Sequence, residues 1–114
     1  MNTIATLPAT MQFIDHGAGG AADCMLVRSG PLPVVADDEV LIRVNAAGVN
    51  RPDIAQRSGS YPAPADASQV MGLEVAGVIV AIGSAVTRWQ VGDAVCALTP
   101  GGGYAQYCKT PAAH

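Results

Sequence analysis

Residues 69–86 read QVMGLEVAGVIVAIGSAV, and from Val70 to Val86 this run carries one charge, Glu74. Val75, Val78, Ile79, Val80 and Ile82 dominate its second half. β-Branched residues at this density favour an extended chain, so Gly72–Ile82 reads as a buried strand. The carboxylate then needs an explanation, because a charged group taken from water without partners is strongly destabilising. One reading is structural: Glu74 accepts hydrogen bonds from backbone amides or pairs with an arginine such as Arg51.

The flanking sequence supports a β-rich chain. Glu39–Ala47, EVLIRVNAA, alternates Val40, Ile42 and Val44 against Leu41, Arg43 and Asn45, which predicts a strand with at least one buried face. Met11–Asp15 is a candidate first strand, His16–Gly20 a turn, and Cys24–Arg28 a short apolar run. Gly30-Pro-Leu-Pro33 breaks that run, since no helix crosses two such prolines. Gly92-Asp93 marks a turn, Ala94–Leu98 a strand, Thr99–Gly103 a turn and Tyr104–Lys109 a last strand.

Asn50–Gly59, NRPDIAQRSG, predicts one short helix. Asn50 or Arg51 lies at its cap, Pro52 suits the first turn and Gly59 ends it. Ser60–Ser68, with Pro62 and Pro64, is a loop, and residues 1–10 are expected to be a flexible lead-in. The expected fold class is mainly β: about six short strands, one short helix and long loops forming a partly open β-barrel.

Composition agrees and narrows the function. The 114 residues suit one domain; half are hydrophobic, 13% are charged, and 13 Gly and 8 Pro favour short strands and turns over a helical bundle. Net charge is −3 and the six basic residues are scattered, which argues against nucleic-acid binding, since that needs clustered Lys and Arg. No charge-free apolar stretch reaches about 18 residues, so no membrane span is expected. The N-terminus lacks the basic and long apolar regions of a signal peptide. Cys24, Cys96 and Cys108 are odd in number and form no C-x-x-C, which fits reduced thiols, read as small buried hydrophobes, in a cytoplasmic protein.

Gly17-Ala-Gly19-Gly-Ala-Ala22 matches the loose dinucleotide pattern G-x-G-x-x-A, with Asp37 and Asp38 downstream. That pattern needs a following helix, whose N-terminal amides receive the pyrophosphate. Gly30, Pro31 and Pro33 leave too little room for one, so the stretch reads as a turn.

Four stretches then stand in order: Gly48-Val-Asn-Arg-Pro-Asp53, Gly72-Leu-Glu-Val-Ala-Gly77, Val91-Gly-Asp-Ala-Val95 and Pro100-Gly-Gly-Gly-Tyr-Ala-Gln-Tyr107. Together they resemble the medium-chain dehydrogenase/reductase superfamily, and within it the NAD(P)H:quinone oxidoreductases, the branch containing zeta-crystallin. AAGVNRPDIAQRSGSYPAPADAS, residues 46–68, is the most specific part. The resemblance runs from about Met11 to His114.

The resemblance implies a two-domain enzyme, with residues 11–114 matching only its GroES-like N-terminal, substrate-side domain. The Rossmann domain, which would bind most of the NADPH, is absent from this chain. Zinc-dependent members carry His where Leu73 stands and Cys where Asn50 stands. Leu offers no lone pair and an amide is a poor ligand, so no zinc is expected. The implied chemistry is hydride transfer from nicotinamide to a quinone or similar electron-poor acceptor, in a full-length homodimer. The 114 residues alone are expected to be inactive.

On the same resemblance, Asn50 and Tyr61 are the candidate catalytic residues, and Asn50, Asp53 and Tyr61 the candidate cofactor contacts. Asn50 can donate a hydrogen bond to the acceptor oxygen as charge grows there; it also reads as a helix cap. Tyr61 can pack its ring on the nicotinamide or acceptor, or cover the barrel's mouth. Asp53 is expected to orient Asn50 or Arg51. Glu74 gains a second reading, near the cleft floor and paired with the missing domain. Two alternatives stay open. In an enoyl-thioester reductase of the same superfamily Tyr61 would act as an acid. The other is a free-standing GroES-like binding module.

Overall fold

The computed structural model describes residues 2–3, 7–17, 19–59 and 68–114. Among these the elements are β1 (Asn2–Thr3), β2 (Thr10–Asp15), β3 (Leu26–Pro31), β4 (Glu39–Ala47), α1 (Arg51–Ser58), β5 (Glu74–Ile82), β6 (Ala94–Leu98) and β7 (Tyr107–Pro111). Tyr61 and all of the expected loop except Ser68 lie outside the described residues.

The run that opened the sequence reading is the hub. β5 pairs antiparallel with β4 along one edge. Its other edge is shared by β6, opposite Glu74–Val78, and by β1, opposite Ala81–Ile82. β7 adds to the far edge of β4, while β2 and β3 form a separate antiparallel ribbon. The two sheets do not close into a continuous barrel, so the mainly β, GroES-like expectation holds in its open form.

Val40–Ile42 of β4 and Ile79–Ile82 of β5 are buried on both faces, which explains the unbroken apolar sequence of these two segments. Val40, Ile42, Val75, Ile79, Ile82 and Cys108 form one core cluster. Leu41, Val80 and Ala81 form a second, packed by Leu7, Leu32, Val35 and Tyr107. Full burial of a side chain such as Ile79 contributes about 1.5–3 kcal/mol.

Three local expectations change. β3 continues through Gly30 to Pro31, which stands opposite Thr10 at the strand's last position, where a proline is tolerated. The last strand starts later than expected, at Tyr107. Residues 104–106 instead tie the ribbon to the large sheet: Ile14 N–H donates to the Tyr104 carbonyl at 2.9 Å and Gln106 N–H to the Gln12 carbonyl at 3.0 Å. Cys108 is buried as expected, but Cys24 is half-buried and Cys96, on β6, is exposed.

The glycine-rich stretch after β2 leads into a three-residue 3₁₀ turn, Ala22–Cys24, and then β3, not into an α-helix. Trp89 packs below its turn with Nε1 donating to the Ala112 carbonyl at 2.8 Å. Asp93 Oδ2 accepts from Gln90 N–H at 3.0 Å.

Candidate functional site

Helix α1 and the start of β5 build the site. Asn50 sits at the N-cap in an extended conformation, and Gly59 ends the helix in the left-handed region at φ 85°. Asn50 and Asp53 form a capping box, in which Asn50 N–H donates to Asp53 Oδ2 at 2.9 Å and the Asn50 side chain faces the Asp53 N–H. A backbone bond from Asp53 N–H to the Asn50 carbonyl at 3.0 Å closes the same turn.

The inner face of α1 is polar. Asp53 and Gln56, one turn apart, are 2% and 6% exposed, while Ile54 is 53% exposed. This reverses the usual amphipathic arrangement, and both buried side chains take hydrogen-bond partners. Gln56 Oε1 accepts the Gly72 N–H at 3.0 Å. Asp53 Oδ2 accepts a second donor, the Tyr104 hydroxyl, at 2.5 Å. Asp53 Oδ1 is buried without a hydrogen-bond partner. Burial first, then the hydrogen bond to Asp53 and its charge, push the Tyr104 hydroxyl up to about 12. Near neutral pH it is therefore an un-ionised donor.

Glu74 opens β5 and is exposed, so it is not a charge buried in the strand. Its Oε1 accepts the Asn50 side-chain Nδ2–H at 3.1 Å. The partner is thus a side-chain amide, neither a backbone amide nor Arg51 as first expected. Below the carboxylate lies Gly48, whose N–H donates to the Glu74 backbone carbonyl at 3.0 Å.

Asn50, Asp53 and Tyr104 line a cleft of about 390 Å³ together with Met25, Val49, Arg51, Ile54, Arg57 and Met71. Arg57 ties the end of α1 to the glycine-rich turn, its Nε donating to the Gly20 carbonyl at 3.0 Å. A larger cleft of about 450 Å³ lies elsewhere, between the ribbon and residues 99–111, and among the described residues neither Asn50 nor Asp53 lines it. The smaller one is the candidate site, because polar groups converge there.

Of the sequence-derived candidates, Asn50 and Asp53 meet in this cleft and Tyr61 lies outside the described residues. Tyr104, Gln56 and Gly48 were missed. Tyr104 stood in a quoted glycine-rich stretch but was read as part of a strand. Gln56 carried one usable signal, a polar residue three positions after Asp53 on the same helix face. Among the described residues no group of three or more His, Cys, Asp or Glu could hold a metal ion.

The sequence profile of the alcohol dehydrogenase GroES-like domain matches residues 36–114. The chain is 39% identical over 106 residues to a quinone oxidoreductase of Lama guanicoe, covering 91% of this chain and 32% of that protein. Its fold matches a Pseudomonas syringae pv. Tomato quinone oxidoreductase with TM-score 0.80 and 32% identity, over 89% of this chain and 31% of that one. A mycobacterial protein solved in complex with NADPH matches with TM-score 0.76 and 34% identity, over 90% of this chain and 32% of that one. The chain thus spans about a third of the length of these relatives.

Proposed function

Because the chain belongs to the alcohol dehydrogenase GroES-like domain family, and in that family to the side that resembles quinone oxidoreductases, we propose that it forms the substrate-side wall of a zinc-independent, NADPH-dependent quinone oxidoreductase. The observation that carries the reading is the Asn50 amide. It lines the cleft and one of its N–H groups is held by Glu74 at 3.1 Å, which leaves the other as a donor.

When bound, the nicotinamide supplies the hydride, and the protein's part is position and polarity. A cleft of about 390 Å³ that sets Asn50, Asp53 and Tyr104 beside the apolar Met25, Val49 and Met71 supports binding of a flat ring with a polar edge. Asn50 and Asp53, with Tyr61, are the residues proposed to hold the nicotinamide and the acceptor. Asn50 donates to the acceptor oxygen as negative charge grows there, and a fixed donor stabilises that charge without reorganising. Asp53 holds the Asn50 backbone and the Tyr104 hydroxyl in place. Tyr61 packs its ring on the nicotinamide or acceptor.

The donor set does not suit zinc. Leu73 offers no lone pair, and the Asn50 amide nitrogen is committed as a donor to Glu74. The cofactor-binding half is proposed to lie outside these 114 residues, and the working unit to be a homodimer. Three free cysteines are in keeping with a cytoplasmic, reducing setting.

The test is an NADPH-oxidation assay on the protein expressed from its complete gene, with 1,4-benzoquinone and with crotonyl thioester as competing acceptors. Quinone-dependent oxidation that survives a strong chelator is the expected result. Oxidation with the thioester alone overturns the quinone reading, and activity abolished by chelation and restored by zinc overturns the zinc-independent one.

A further inference from the structure

We infer that Glu74 is a positioning residue for Asn50, and that position 48 is glycine because the Glu74 carboxylate occupies the space a side chain there would take. The inference rests on the proposed role of Asn50 as donor and adds what makes that donor directional.

A terminal amide is a poor donor until its orientation is fixed. Its two ends differ in chemistry but scarcely in shape, and a half-turn about the last bond swaps an N–H for a carbonyl oxygen. The capping box holds the Asn50 backbone firmly through Asp53, while the Asn50 side chain turns toward the Asp53 N–H without completing a side-chain cap hydrogen bond. Glu74 Oε1 can accept but not donate, so it selects the NH2 end of Asn50 at 3.1 Å and rejects the carbonyl end. The remaining N–H is then presented in one orientation. An ionised acceptor also makes this bond stronger than a neutral one would.

The space around Glu74 shows how the carboxylate is held. A Cβ built on Gly48 would lie 1.8 Å from Glu74 Oε1, 2.6 Å from Cδ and 2.8 Å from Cγ. These three nearest atoms all belong to the Glu74 side chain. Gly48 does not have a positive φ, so its backbone is open to alanine. Gly48→Ala therefore moves the Glu74 carboxylate off Asn50 and requires little else to change. This allows the position of Glu74 to be perturbed without removing its charge and without touching the cleft residues.

The experiment is a set of steady-state cycles on the protein expressed from its complete gene: Glu74→Ala, Glu74→Gln and Gly48→Ala, each alone and with Asn50→Ser. Glu74→Ala and Gly48→Ala are expected to lower kcat for 1,4-benzoquinone by roughly tenfold with KM for NADPH unchanged, since displacing a positioned group by about an ångström can cost up to about a hundredfold. Glu74→Gln keeps an acceptor but adds a donor end, so it loses the charge assistance and part of the end selection, and its kcat should fall between the parent and Glu74→Ala. On the Asn50→Ser background none of the three should lower kcat further.

Two failures are distinguishable. If Asn50→Ser leaves kcat unchanged, the donor reading of Asn50 fails, and this inference with it. If Asn50→Ser lowers kcat but Glu74→Ala and Gly48→Ala do not, or if they lower it equally on the Asn50→Ser background, Asn50 stands and the positioning role of Glu74 is overturned.

Discussion

The Asn50 side-chain amide and the Glu74 carboxylate lie 24 residues apart in sequence and 3.1 Å apart in space. The contact joins the first residue of the helix cap to the first residue of the central strand. One side chain thereby belongs to two structures at once. Its backbone starts α1 and its amide faces the cleft, so a change at position 50 has to be chosen with both roles in mind.

Asn50→Ser separates them. Serine caps helices about as well as asparagine, so stability should stay within about 0.5 kcal/mol. The amide donor is lost, and kcat for a quinone should fall by about a hundredfold or more. Equilibrium unfolding and quinone-dependent NADPH oxidation on the same preparation read both. An unchanged kcat would reduce Asn50 to a cap.

Tyr104→Phe removes one of the two donors to the buried Asp53 carboxylate. We expect a loss of about 1–3 kcal/mol at pH 7. The parent protein should also show an alkaline signature. The Tyr104 hydroxyl is raised from 10.0 to about 12, so its contribution is complete below pH 10 and is lost as pH rises toward 12. Denaturant unfolding at pH 9, 10, 11 and 12 checks this. If parent and variant lose stability in parallel between pH 10 and 12, the Tyr104–Asp53 pairing is not responsible.

The three cysteines should react in a fixed order. Cys96 is exposed, Cys24 half-buried and Cys108 buried, with burial pushing the Cys108 thiol up to about 11. A maleimide at pH 7.5 should label Cys96 first, then Cys24, and reach Cys108 only in denaturant. Peptide mapping by mass spectrometry gives the order, and early labelling of Cys108 would contradict its place in the core.

Two glycine-to-alanine changes should differ sharply in cost. At Gly77 an added Cβ would meet the Arg43 carbonyl oxygen at 2.1 Å, across the β4–β5 pairing. That obstacle is backbone, and we expect roughly 3 kcal/mol of destabilisation. At Gly48 the obstacle is the flexible Glu74 side chain, and the cost should stay below about 1 kcal/mol. Urea unfolding of both variants decides it. Equal costs would mean that Glu74 cannot move aside.

Much of the fold was legible in short stretches. Val75–Ile82 and Glu39–Ala47 announce strands because β-branched residues pack well on a pleated surface whatever lies beyond. Asn50, Pro52 and Gly59 announce a helix because capping and termination are local backbone chemistry. The β3 boundary and the start of β7 were misplaced for the opposite reason. A proline ending a strand and an irregular 104–106 segment depend on which neighbour is at hand, and the neighbour is supplied by the ribbon.

The sequence by itself determined that this is a mainly β chain with one short helix, and its motifs determined the family. These rest on patterns spanning a few residues, where propensity and capping act. Only the tertiary structure decided what the polar side chains do. Tyr104 reaches Asp53 across 51 residues, Glu74 reaches Asn50 across 24, and Gln56 reaches the Gly72 amide across 16. No periodicity encodes such pairs. Asp53 and Gln56 take partners because they are buried away from water, whereas Asn50 and Glu74 meet at the exposed surface because the fold sets the helix cap beside the start of β5.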